Sequence, residues 1–409
     1  MIQPIRKRVA EANNVDTKKY KYTLLIDGNN IMKIASVDHK MNSEGKEYGI
    51  ILTSLRLIGE TLKKKDFDYC IVAYDGERSG VLRYQYYKDY KANRDKNYES
   101  YNPNMTDYDR YIENYRKNIL RHSQEERYTR NILKYSKEDI TKEEENANFA
   151  RQKPILQEIL DELCIRQYEF ENVEGDDIIS YYVKNKKEDE KIVIVSSDRD
   201  LTQLISDTVC IYNPRDKEFI TKENAIQKLG ILSENIVLQK IICGDVSDNI
   251  KGVKGVGLDT LKKLFPEFTD RKLDLDFVIE RSKELLEQRK AEKKKPLKSL
   301  ENIVNGTTDG CQGDRLYEIN EKIIDLSTPL LTEEAKKTMD DELYAVIDTT
   351  DRSIKNIYKI VSENKINDIL DENKFGNILE PFGRIIMMEN KRLKAYLDYE
   401  KFKRENGRK

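Results

Sequence analysis

Histidine is nearly missing from this chain: His39 and His122 are the only two in 409 residues. That scarcity argues against a Ser-His-Asp triad and against a structural zinc site. Cysteine is almost as sparse. Cys70, Cys164, Cys210, Cys243 and Cys311 are widely spaced, with no C-x-x-C pair, which suits a reducing cytoplasm. No apolar run reaches the roughly 18–20 residues that a membrane-spanning helix needs. The basic N-terminal stretch MIQPIRKRVAEANN has no apolar segment to support export, so neither membrane insertion nor secretion is expected. An excess of basic charge is lacking too, since 73 Lys and Arg face 75 Asp and Glu for a net charge of −2. A nucleic-acid role would therefore have to come from how charge is distributed. Whatever chemistry occurs must run on carboxylates, hydroxyls, lysine and arginine.

What is present is enough chain for two or three domains with a real core. Three short apolar runs each end in aspartate: Tyr22–Asp27, Tyr69–Asp75 and Lys191–Asp198. Such runs, separated by helical segments, read as buried parallel strands. The segment Pro154–Ile165 reads as a helix, with Ile155, Leu156, Ile159, Leu160 and Leu163 on one stripe and Pro154 in its first turn. DDIISYYVKN, after Glu174, reads as another. The fold class is α/β with a doubly wound sheet.

Two regions break this pattern. Eleven of the 25 tyrosines lie between Tyr84 and Tyr135, and Arg78–Lys134 holds 13 Lys/Arg against 8 Asp/Glu. The stretch RYQYYKDYKANRDKNY fits a surface that stacks bases and neutralises phosphates, with Tyr84, Tyr87 and Tyr90 as candidate contacts. Tyrosines at helical spacing also pack in cores, and both readings stand. Beyond Phe268 the chain is highly charged, and LEQRKAEKKKPLKS (286–299) reads as a solvated helix end or linker. LYEINEKIIDL and NIYKIVSENKINDIL read as later helices.

Ligands of an open parallel sheet bind beyond the carboxyl ends of its strands. Asp27, Asp75 and Asp198 each sit at such an end, so three distant acids should converge on one rim. Any one of them could simply cap the next helix. Further acids accumulate nearby: Glu174, Asp176 and Asp177 opening a helix, Asp200 two residues after Asp198, and Asp245 with Asp248 in CGDVSDN. Helix-dipole pairing and a capped turn are the plain alternatives for these. Together, carboxylates forced this close repel unless cations neutralise them. Oxygen ligands without His or Cys select Mg²⁺ or Mn²⁺. Seven to nine acids fit two ions about 3.5–4 Å apart, an arrangement that activates water and stabilises a leaving oxygen in phosphodiester hydrolysis.

Downstream, Gly252, Gly255 and Gly257 form a tight turn before a helix carrying Leu258, Leu261 and Leu264. Such a turn aims backbone N–H groups at a phosphate, with Lys254, Lys262 and Lys263 adding charge. A dinucleotide-binding turn is the weaker reading, because the spacing is G-x-x-G-x-G and no strand is expected before it. Glycines serving close helix packing are a further alternative.

The motifs IDGNN, AYDGERSGVLRYQYYKDYKANR, VEGDDIIS, VSSDRDLTQL and GDVSDNIKGVKGVG run in order over residues 22–268. As a set they resemble the flap endonuclease/5′-nuclease superfamily. The likeness is to the 5′-nuclease domain of bacterial family A polymerases and to stand-alone bacteriophage 5′-exonucleases of the phage RNase H type. The resemblance implies a PIN-like fold with a helical arch, a helix-two-turn-helix subdomain and a helical C-terminal region. The expected division is 1–21 as a basic extension, 22–235 as the catalytic domain with an arch over 78–150, 236–330 as the DNA-binding subdomain with a charged linker, and 331–409 as the C-terminal region.

It also implies roles. Asp27, Asp75, Glu174, Asp176 and Asp177 would lie nearer a first metal ion, and Asp198, Asp200, Asp245 and Asp248 nearer a second. Arg83, Lys91 and Arg94 would steer the scissile phosphate and stabilise its developing charge. Gly252, Lys254, Gly255, Gly257 and Lys262 would grip duplex backbone, with K⁺ in the Gly-rich turn. The implied cofactors are two Mg²⁺, with Mn²⁺ as a substitute. The implied substrate is DNA with a 5′ flap or 5′ end, or an RNA/DNA hybrid, cleaved in replication or repair. A monomer is expected, with a single-strand-binding protein or clamp as partner, in the cytoplasm (the host's, for a phage-encoded chain). A catalytically inactive, structure-specific DNA-binding protein of the same fold is the alternative. A single-metal phosphatase on a similar sheet is a third reading, which leaves the Gly-rich turn unexplained.

Overall fold

The computed structural model describes residues 20–92 and 142–406. Its centre is a six-stranded sheet in the order β3-β2-β1-β4-β5-β6. The strands are β1 (Lys21–Asp27), β2 (Tyr69–Asp75), β3 (Arg166–Phe170), β4 (Glu190–Val195), β5 (Val209–Asn213) and β6 (Glu218–Ile220). The first five run parallel, and only β6 pairs antiparallel, with β5. From β1 the chain winds outward through β2 to β3, then returns to place β4 on the other side of β1. The topological switch point therefore lies between β1 and β4, where this class of sheet opens a crevice for ligands.

The three strands expected from sequence form, with β4 ending earlier than expected, at Val195. Ser196–Asp198 instead turns out of the sheet, and Ser196 Oγ stabilises the turn by accepting the Asp198 N–H at 3.0 Å. The helix expected from Pro154 begins at Lys142 and ends at Glu162, so Pro154 is interior rather than in the first turn.

Alternate strand residues feed two cores. Leu24, Ile26, Val72, Tyr74, Val193 and Val195 face one side, against helices Gly49–Leu62 and Lys142–Glu162. Leu25, Ile71, Ala73, Ile192 and Ile194 face the other, against Ile178, Ile179 and Tyr182 of helix Gly175–Lys184. The C-terminal segments complete both. Leu331, Ala335 and Met339 join the second core, and Ile357, Phe375, Leu379, Phe382 and Ile385 join the first. The stretch beyond residue 331 is thus packed onto the central sheet, with no core of its own among the described residues.

A third cluster unites residues 231–317 around Val253, Val256, Leu261, Phe265 and Val278. It holds helix Ile236–Cys243, the Gly-rich turn and helix Leu258–Leu264, while the short strands β7 (Gly244–Asp245) and β8 (Ile250–Lys251) link the first helix to the turn and place Ile250 in a separate cluster. Contrary to expectation, a strand does precede that turn. β8 pairs only with β7, outside the main sheet, which leaves the turn unlike a dinucleotide-binding one. Gly252 is required there because a Cβ would stand 2.1 Å from the Cys243 carbonyl carbon. Gly255 takes φ +73, which side chains rarely adopt.

Candidate active site

The rim of the sheet at the switch point is acidic. Asp27 ends β1 and caps the next helix, accepting the Asn30 N–H at 2.9 Å and the Ser196 hydroxyl at 2.8 Å. Its capping role and its place at the rim coexist. Burial pushes its carboxyl up to about 7, against the pull of the Asn30 N–H, with Asp75 and Asp198 adding repulsion. Asp75 ends β2 and is oriented on both oxygens, by Asn29 Nδ2 at 3.0 Å and the Gly175 N–H at 2.8 Å. Asp198 is exposed on the turn after β4, and its Oδ1 accepts the Asp200 N–H at 2.9 Å.

Asp176 stands at the centre of this group. Burial raises its carboxyl well above the carboxylate range, and the strongest charges acting on it are Asp198, Asp27, Asp75 and Asp200, all acids. Asp200 is pushed up to about 7, first by burial and then by Asp198 and Asp245, although Lys240 opposes this.

The other predicted acids carry their own cations. Glu174 is buried and receives the Lys91 ammonium, an Arg83 nitrogen at 2.8 Å and the Tyr90 hydroxyl at 2.8 Å. Burial alone would raise its carboxyl, but Lys91 and Arg83 win and hold it near 2. Asp177 turns away from Asp176, as successive helical residues do by about 100°. It takes the Arg83 fork, with one bond at 3.0 Å, and the Leu330 N–H at 2.9 Å. Asp177 therefore does not join the acid group, and its lone pairs are already engaged. Asp245 accepts Lys240 at 2.6 Å and both Ser247 donors, and Lys240 also reaches Asp200. Asp248 lies 3.8 Å from Lys91 and accepts the Tyr90 hydroxyl at 3.2 Å.

The basic residues need correction in the same terms. Arg83 is buried between Asp177, Glu174 and the Ile323 carbonyl, which accepts its Nε–H at 2.8 Å. It positions segments of the site and presents no face to a phosphate. Lys91 is buried against the acids, its backbone at φ +53 with its N–H donated to the Asp248 carbonyl. Arg94 lies outside the described residues. Tyr87 and Tyr90 are 1% and 2% exposed and pack on Ile250, Ile323 and Ile324, so neither ring can stack a base. Their hydroxyls instead tie this segment to Asn249 and Asp248. Tyr84 is half-buried, with Lys88 Nζ 4.3 Å from its ring centre. In the Gly-rich turn, Gly255, Gly257 and Lys254 are exposed, Gly252 and Lys262 are half-buried, and Lys254 pairs with Asp309 at 2.8 Å.

Sequence reasoning missed Lys240. Its signal was a single lysine inside the apolar helix Ile236–Cys243, where only a buried acid justifies the charge. It also missed Asn29, legible only as part of IDGNN.

Among the described residues no three acids close on one metal-sized point. The donor set nevertheless fits divalent cations chemically. It is all oxygen, its central acid has only acids as its strongest charged neighbours, and ammonium groups already occupy part of it.

A doubly wound sheet with an acidic switch point and a Gly-rich helical turn beside it defines the PIN-like class of α/β nuclease folds. The chain belongs to the 5′-3′ exonuclease family: the pattern described as 5′-3′ exonuclease, N-terminal resolvase-like domain, matches residues 22–230. DNA polymerase I of Bacillus subtilis is 37% identical over 145 residues, covering 34% of this chain and 16% of that protein. A 5′-3′ exonuclease of Aquifex aeolicus is 36% identical over 118 residues, covering 29% and 41%. The chain thus spans less than half the length of these relatives. The T5 D15 protein, crystallised with metal ions, shares the fold with a TM-score of 0.53 at 18% identity, over 83% of this chain and 99% of that one. The T5 5′-exonuclease with bound zinc gives 0.51 at 18%, over 85% and 100%.

Proposed function

We propose that the chain is a divalent-metal-dependent 5′-nuclease that hydrolyses phosphodiester bonds near the 5′ ends of flapped, nicked or RNA-primed duplexes. The observation that carries this reading is Asp176, at the switch point, where the strongest charges acting on it among the described residues are four acids. Family membership over residues 22–230 supports it. Asp27, Asp75, Asp176 and Asp198 are the acids available to hold Mg²⁺, with Mn²⁺ as a substitute, and Asp200 joins them once Lys240 releases it. Glu174, Asp245 and Asp248 become available for a second ion as Lys91 and Lys240 release them. A bound divalent cation supplies positive charge to the scissile phosphate and acidifies water.

The protein's own groups do the rest. Asn29, the Gly175 N–H and Ser196 fix the orientation of Asp75 and Asp27. Lys91 and Lys240 keep two ammonium groups at the rim, where a phosphate's growing charge would be met. The exposed backbones of Gly255 and Gly257 offer N–H groups to the duplex, while the Val256 N–H is donated to the Val253 carbonyl.

A 5′-labelled flap substrate and a matched blunt duplex, each incubated with Mg²⁺ and with EDTA, test the reading. Metal-dependent cutting near the flap junction is expected. Binding without cleavage in both Mg²⁺ and Mn²⁺ would overturn it in favour of a non-catalytic DNA-binding protein.

A further inference from the structure

The lysine-rich stretch expected to be a solvated helix end or linker closes one helix at Ala291 and forms the tip of a helical hairpin. Helices Leu275–Ala291 and Lys298–Asn305 pack through Leu285, Leu286, Leu297 and Leu300 into the cluster that contains Val253 and Val256 of the Gly-rich turn. The root of the second helix touches that turn directly. Asn302 Nδ2 donates to the Lys254 carbonyl at 2.9 Å, and the Lys254 N–H donates to the Thr307 carbonyl at 2.8 Å.

The tip itself is held by its backbone. The Lys294 N–H reaches the Arg289 carbonyl at 2.8 Å, Arg289 Nε donates to the Lys295 carbonyl at 2.9 Å, and Lys293 takes φ +53. Residues 289–298 carry six basic side chains against one acid, a local +5 in a chain of net −2. Glu292 is taken by Lys294 at 2.7 Å and Lys290 lies 3.9 Å from Glu287. Among the described residues no acid pairs with Lys293, Lys295 or Lys298, and all three are exposed. A solvated run normally mixes its signs. Here cations repel one another on a rigid tip, and an anionic ligand would relieve that repulsion.

We propose that this tip is a second contact for the backbone of the duplex gripped by the Gly-rich turn, its ligand being nucleic-acid phosphate. The inference rests on the nuclease reading. From Lys298 to Asn305 the helix rises about 10 Å, at ~1.5 Å per residue. At ~3.4 Å per base pair the tip reaches about three pairs beyond the turn.

The test compares Lys293→Gln/Lys295→Gln/Lys298→Gln with a control, Lys337→Gln/Lys355→Gln/Lys359→Gln, which removes the same charge from exposed positions elsewhere. Flap-duplex binding is measured in Ca²⁺ over roughly 50–200 mM KCl. The tip variant is expected to bind about tenfold more weakly at low salt, with a log K against log[salt] slope shallower by about 2–3. Its turnover at saturating substrate should match wild type, and the control should change less than about twofold. Wild-type affinity and slope in the tip variant, as an acidic protein partner for this surface would give, overturn the proposal. So does equal weakening by the control. A wild-type protein that binds no flap DNA removes the nuclease reading and this inference together, a result distinct from either.

Discussion

Asp176 and Asp177 are neighbours in one motif and live in opposite surroundings. Asp176 faces four acids at the rim of the sheet, while Asp177 faces inward to a buried arginine. One side of the helix start gathers acids whose repulsion an incoming cation or a bound proton relieves. The other side has brought its own cation and is complete without any ligand. Two identical side chains, one residue apart, thus divide binding from architecture.

The comparison breaks most visibly under substitution of each in turn. Asp176→Asn is expected to abolish metal-dependent cleavage while leaving DNA binding within about tenfold, because it removes an oxygen donor from the site. Retained cleavage would displace Asp176 from the centre of the site. The same change should raise the melting temperature in EDTA, since it removes a buried carboxyl whose ionised form burial and the neighbouring acids disfavour. Asp177→Asn should do the reverse. It removes one of the two carboxylates on buried Arg83, leaving Glu174, at a cost of about 1–3 kcal/mol, read by urea unfolding. Equal shifts in the two variants would erase the distinction drawn here.

A pH series sharpens the same contrast. Asp27 and Asp200, pushed up to about 7 from an ordinary 3.8, keep protons that the unfolded chain has lost. Their contribution to stability is full below 3.8 and is lost as pH rises through 7. Glu174, held near 2 against 4.5, works oppositely: its contribution stands above 4.5 and disappears as pH falls through 2. Unfolding in EDTA should therefore show stability falling by about 2 kcal/mol between roughly pH 5 and pH 8, and saturating Ca²⁺ should flatten the fall. A flat profile in EDTA would mean that the acids do not repel.

The smallest effect is expected at Lys240. Lys240→Met should lower metal-free stability by about 1–3 kcal/mol and tighten Ca²⁺ binding by calorimetry, because it vacates Asp200 and Asp245. Weaker Ca²⁺ binding in this variant would make the lysine a support for the site and not a competitor for it.

Much of this was legible in the sequence where short-range pattern settles position. Runs that end in Asp27 and Asp75 announce strands whose carboxyl ends meet, and the spacing inside VEGDD and SSDRD places acids near that edge. β3 was not legible, because RQYEF at the sheet edge alternates polar and apolar residues too briefly to stand out. Nor does spacing report partners from distant sequence. Nothing local to Asp177 reveals Arg83, 94 positions away, and nothing local to Tyr90 reveals that Ile323 and Ile324 close over it. The tyrosine and arginine content around residue 84 reads as a ligand surface until the fold supplies those neighbours.

The packing of Phe375, Phe382 and Ile385 into a core with strands formed more than 300 residues earlier bears on how the chain folds as it is made. A nascent chain emerging from the ribosome can pair β1 with β2 and begin to cover that face with helices Gly49–Leu62 and Lys142–Glu162, yet the core on that face lacks its C-terminal members until synthesis has passed residue 385. Contacts of such long sequence separation form late. A ribosome-bound fragment shorter than this would hold every acid of the site over an unfinished core, so settling of the site is deferred until these helices have emerged.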